Sequence, residues 1–105
     1  MKSKYQIELD YKASINQAQK LENIAKNIKN MSSNDLEACM NQVKANWEST
    51  NATAFITKGR TLQQQIAATA KELDKTAKTI RSIAERTKRA EMEAVRIATL
   101  RSSGN

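Results

Sequence analysis

The sequence contains no histidine and no proline, one cysteine, two glycines and only 4% aromatic residues in 105 positions. Without histidine the commonest general base and metal-binding side chain is missing, and Cys39 has no imidazole to activate it. A lone cysteine cannot close an intramolecular disulfide or build a cysteine metal site, so Cys39 reads as a small packing side chain. Gly59 and Gly104 are too far apart to form a phosphate-cradling loop. Glu91 and Glu93 stand two residues apart, which on a helix points them in different directions. No catalytic constellation remains, so the chain is expected to be no enzyme and to need no cofactor or metal.

The scarcity of Gly, Pro and aromatic residues also argues against a β-sandwich or barrel, which needs frequent turns. No apolar run approaches the ~20 residues of a membrane-spanning helix. The first twenty residues, MKSKYQIELDYKASINQAQK, are interrupted by Glu8, Asp10 and Lys12, and are not expected to act as a secretory signal.

What the chain has in quantity is Ala, Gln, Lys, Glu, Leu and Ile, a helix-forming composition. Ile7, Tyr11, Ser14, Ala18, Leu21, Ala25 and Ile28 repeat at 4,3 spacing, a mostly apolar stripe on one helical face. Leu36, Met40, Val43 and Trp47 continue the spacing in a shifted frame. Between the two runs lies MSSNDLEA, where Asn34 and Glu37 have the separation of a capping box. The first helix, about residues 5–46, is expected either to kink or restart near 32–35 or to run on with a local change of frame.

In the second half, the row from Phe55 through Gly59, Leu62, Ile66, Leu73, Ile80, Ile83 and Thr87 to Ile97 keeps 4,3 spacing. Ala70, Ala77, Ala84 and Ala98 sit one position further round, which broadens the apolar face to bundle width. This predicts a second helix over about 52–100 and a flexible tail at 101–105. Ser49, Thr50 and Asn51 are good N-cap residues, so the connection is placed at 47–51. A short polar link between two long helices makes them antiparallel neighbours. The fold class expected is all-α: one domain over 1–105, an antiparallel two-helix hairpin pairing into a four-helix bundle. Trp47, the only Trp, is expected to plug the turn by closing over Ala52 and Phe55.

The stretch NWESTNATAF, with Trp47, Ala52 and Phe55, together with the later AKTIRSIAERTKRAEMEAVRIA, resembles the WXG or ESAT-like small helical proteins of type VII secretion systems. The family motif is Trp-x-Gly followed by Ala and Phe at these spacings; here Ser49 stands at the Gly position. Members often carry a Tyr four residues before an acid as an export signal. Thr87 holds that place before Glu91, and no Tyr lies beyond Tyr11. The resemblance implies a helical-bundle dimer, recognised by a secretion ATPase in the cytoplasm of a Gram-positive-like bacterium and then secreted or kept at the cell surface. It also implies an alternative role, as escort bound to the helical N-terminal domain of a larger toxin, and the missing Tyr tilts toward that role. Ile66, Leu73, Ile80 and Ile83 are the expected interface, and Thr87 with Glu91 the region for machinery contact.

The formal net charge is +7. Residues 1–46 carry seven lysines against five acids, and 47–105 carry eleven basic residues against six acids, so an anionic partner is considered. Lys71, Lys75, Lys78, Arg81, Lys88, Arg89 and Arg96 fall mostly opposite the apolar stripe, where a solvated helix keeps its charge. Acids interrupt the run and no aromatics interleave to stack on bases. Nucleic acid and an anionic membrane surface are therefore the rival partners, and a second helical hairpin, the same chain or another, is the favoured one.

Overall fold

In the computed structural model, residues 1–47 and 49–103 are described, and among them every element is helical. Helix α1 spans Lys4–Asn30, a π-helical segment spans Met31–Leu36, α2 spans Glu37–Asn46, and α3 spans Ser49–Ser103. The all-α expectation is met. The second helix begins at Ser49, inside the 47–51 connection that the sequence predicts, and it includes Arg101 to Ser103 of the predicted 101–105 tail. The side chain of Ser49 and residues Glu48, Gly104 and Asn105 lie outside the described set, and with them the proposed Ser49 cap.

Helix α1 starts because Ser3 caps it. The Ser3 hydroxyl accepts a hydrogen bond from the Gln6 amide at 3.1 Å, and the Ser3 carbonyl accepts from Ile7 N–H at 3.0 Å. These satisfy donors that a helix start otherwise leaves open.

The frame slip near 32–35 is absorbed without a break. Asn30, Leu36 and Glu37 all keep right-handed helical angles, and the extra residue is taken up by the wider i→i+5 turns of Met31–Leu36. The least exposed positions step from Ala25 through Ile28, Ser32 and Leu36 to Met40, with three successive steps of four. The Asn34–Glu37 capping box does not form, because α2 has no side-chain cap. A helix that never restarts offers no free N–H groups to cap, and the Glu37 carboxylate is drawn to α3 instead.

Trp47 ends α2. Its backbone is extended, with φ −110° and ψ 146°, while its N–H still donates to the Val43 carbonyl at 2.9 Å.

The chain divides into two compact units, residues 1–21 with 75–105, and residues 22–74. In the unit of residues 22–74, Ala25, Ser32 and Met40 are buried on one side and Ala52, Gly59 and Ala70 on the other. Its cross-contacts join Lys29 to Asp74, Glu37 to Arg60 and Trp47 to Phe55, so one partner's number rises as the other's falls. In the unit of residues 1–21 and 75–105, Ile7 and Ala18 are buried together with Ala77 and Ala84. Its contacts run in the same opposed order, Lys2 to Glu91, Glu8 to Lys88 and Gln19 to Arg81. Ala18, Ala70 and Ala77 have no accessible surface at all. Alanine at the inward positions lets backbones approach closely but supplies little apolar area per residue.

Candidate partner-binding surface

Gly59 is a notch filled by Met40. A Cβ built on Gly59 would collide with the Met40 sulfur and stand 3.1 Å from its Cγ. Met40 itself is 1% exposed. The glycine that costs the helix about 1 kcal/mol relative to Ala is therefore the seat of the largest buried side chain in that unit.

Beside it lies the main polar cluster of the same unit. Arg60 Nη1 donates to Glu37 Oε2 at 2.6 Å and to Gln63 Oε1 at 2.8 Å. Gln63 Nε2 donates to Glu37 Oε2 at 2.8 Å and to the Ser32 carbonyl at 3.3 Å. The second contact gives a partner to a carbonyl inside the π segment, where the regular i→i+4 pattern is lost. The Arg60 guanidinium, and then the Gln63 amide, hold the Glu37 carboxyl below its ordinary range.

Trp47 is not the buried plug expected from the sequence. It is 55% exposed. Its ring stands 6.1 Å from that of Phe55, tilted by 54°, within the range of favourable aromatic pairs. Ala52 is buried, whereas Phe55 is exposed. The indole meets Phe55, in the second turn of α3.

Of the expected interface residues, Ile66, Leu73 and Ile80 are half-buried, in the same inward row as Gly59, Ala70 and Ala77. Ile83 is 50% exposed. Phe55, Leu62 and Ile97 are exposed as well. The apolar face on α3 is thus divided lengthwise, one row turned inward and the neighbouring row open to solvent.

In the unit of residues 1–21 and 75–105, Thr87 is exposed and Glu91 half-buried. Both line an open groove of 330 Å³ with Ile7, Tyr11, Ile80 and Lys88. Lys2 bridges Asp10 at 2.9 Å and Glu91 at 3.0 Å. The hydrogen bonds that Lys2 donates, to Asp10 first and then to Glu91, push its amine above its ordinary value. The bond from Lys2, followed by that from Gln6, holds Asp10 below its own. Lys88 leaves the solvated face expected for it, pairs with Glu8 at 3.1 Å and stands 4.4 Å above the Tyr11 ring.

The charge is divided as sharply as the apolar face. Residues 1–21 and 75–105 hold twelve lysines and arginines against five acids, the whole net +7, while residues 22–74 hold six against six. Five acids cannot neutralise twelve cations by any internal pairing.

Two of these features had a sequence signal: the lone Gly59 inside a 4,3 apolar row, and Ser3 three residues before Gln6. The Glu37–Arg60–Gln63 cluster had none, since its members are 23 and 26 residues apart across the bond from Glu37. Among the described residues no group of His, Cys, Asp or Glu is arranged to hold a metal, and no helix is long and apolar enough to cross a membrane.

No protein-family model, no curated protein and no solved structure matches this chain.

Proposed function

We propose that this chain is a non-catalytic helical hairpin of the WXG or ESAT-like kind. It works by pairing with another helical protein, as a substrate of a type VII secretion system or as escort to a larger toxin. The observation that carries the reading is the extended backbone at Trp47, between α2 and α3, with its indole against Phe55. That is where the resembling motif has its turn. Exposed Phe55, Leu62, Ile83 and Ile97 supply apolar surface for a further pair of helices. The partner is a second hairpin or a toxin's helical N-terminal domain, and the bundle is passed to a secretion ATPase. Since Thr87 replaces the signal Tyr, the partner supplies that signal, and the groove lined by Tyr11, Thr87 and Glu91 is the contact region.

The test is export of the tagged chain from a host with and without the secretion ATPase gene, and with and without the neighbouring toxin gene. ATPase-dependent release is expected, either of the chain or of a toxin that requires it. Release indifferent to both genes would reject the reading. The concentration of +7 in one unit favours a second reading, a basic helical protein binding nucleic acid or an anionic membrane surface. Tight DNA binding that weakens steeply with salt would support it.

A further inference from the structure

We propose that the unit of residues 1–21 and 75–105 binds an acidic amphipathic helix of another protein, along the row Ile83, Thr87, Ala90, Ala94 and Ile97. This deepens the helix-pairing part of the proposed function and does not depend on export.

Three observations converge on this row. First, the inward row of α3 in this unit passes from Ile80 and Ala84 to Lys88 and Glu91, which are satisfied by Glu8 and Lys2. The apolar positions at 83, 87, 90, 94 and 97 keep 4,3 spacing and are all exposed, Ile83 at 50% and Ile97 at 40%. Two isoleucines flanking Thr87, Ala90 and Ala94 form the large-and-small relief that receives the knobs of a facing helix. Second, Arg86, Arg89 and Arg96 follow one border of the row, and all three are exposed. Glu93 on the same border is held by Arg96, whose hydrogen bond keeps its carboxyl below the ordinary range. Third, the unit carries the entire net charge of +7.

The charge selects the occupant. A second copy would set +7 against +7 across the same surface, and like charges at an interface suppress association. A helix with acids flanking its apolar stripe neutralises the arginines while covering the isoleucines. A phosphate backbone would use the arginines but leave Ile83 and Ile97 in water, and no aromatic lies in the row or between its arginines to stack on bases.

The experiment uses the full chain and a fluorescent synthetic peptide of about four heptads, with Leu at 4,3 spacing and Glu at the flanking positions. A peptide with the same Leu stripe and Lys flanks is the matched control. A DNA duplex and vesicles of mixed phosphatidylglycerol and phosphatidylcholine are run in parallel. The acidic peptide is expected to bind and the basic one not. I83Q/I97Q and R86Q/R89Q/R96Q are each expected to weaken binding by about tenfold or more, and only the second to flatten its salt dependence. I24Q, at an exposed isoleucine of the neutral unit, is expected to leave it unchanged. Equal binding of the two peptides overturns the proposal, and that comparison uses the unmutated protein, so it does not hinge on a variant folding. Wild-type binding by I83Q/I97Q, or tighter binding of duplex or vesicles than of the acidic peptide, overturns it as well. Release indifferent to the ATPase and toxin genes, with binding of the acidic peptide intact, would reject the secretion reading alone.

Discussion

Met40 occupies the space that a side chain on Gly59 would need. Adding a methyl group at Gly59 should improve helix propensity by about 1 kcal/mol, but overpacking a filled site costs about 1–3 kcal/mol. G59A is expected to be neutral to destabilising, and G59L plainly destabilising. M40A alone should cost about 2–5 kcal/mol. The diagnostic result is the double variant M40A/G59A, expected to lose at least about 1 kcal/mol less than the sum of the single losses, because the methyl group enters the vacated space. Strict additivity in urea unfolding would show that the two residues do not meet.

Trp47 is half outside, so its removal should be milder than loss of a core aromatic. W47A is expected to cost about 1–2 kcal/mol, below the ~3–5 typical of a buried ring. F55A should cost a similar amount, and the pair should be coupled by about 0.5–1.5 kcal/mol in a double-mutant cycle. A loss of core size on W47A would mean that the indole is covered in solution, as it would be in a dimer.

The carboxylates of Glu37 and Asp10 are held low by Arg60 and Lys2 respectively. A group whose folded value is depressed contributes stability above its unfolded value and loses it as pH falls through the folded one. Thermal stability should therefore decline on acidification from about the ordinary carboxylate values of 4.5 for Glu and 3.8 for Asp downward. Lys2 has the opposite sign: its raised amine contributes below the ordinary 10.5 and loses that contribution as pH rises through its folded value. E37Q should flatten part of the acid limb and K2M part of both limbs. An acid limb unchanged in E37Q would exclude the Glu37–Arg60 pair as a contributor.

Ala77 has no accessible surface, whereas Ala67 is exposed on the same helix. A77L should destabilise by about 1–3 kcal/mol through overpacking, while A67L should be nearly neutral. Equal effects in thermal unfolding would mean that Ala77 does not face its own chain.

The elements themselves were legible locally. Residues from Lys4 onward carry propensity and 3.6-residue periodicity, both properties of neighbours in sequence, so helix follows from short-range physics. The frame slip beginning after Ile28 was visible as a change of spacing, and the end of the first run of helix at Asn46 as a loss of helix-forming residues. The form of each was not. Within the π segment the Ser32 carbonyl accepts from Gln63, a contact made from 31 residues away, and the capping spacing of Asn34 and Glu37 yielded to an arginine on another helix.

The sequence by itself determined that this chain is helical and roughly where its helical runs begin and end, because those are decided within a turn or two of backbone. Only the tertiary structure decided which of two adjacent rows on α3 turns inward. Ile66 and Ile83 belong to one 4,3 pattern, and a rotation of about 100° per residue separates alternatives that composition cannot rank. It also decided that Met40 seats on Gly59 and that the +7 gathers in one unit while the other is neutral. Those facts depend on which distant residues meet, and in a chain whose buried positions are mostly alanine that choice is made by a few long-range contacts.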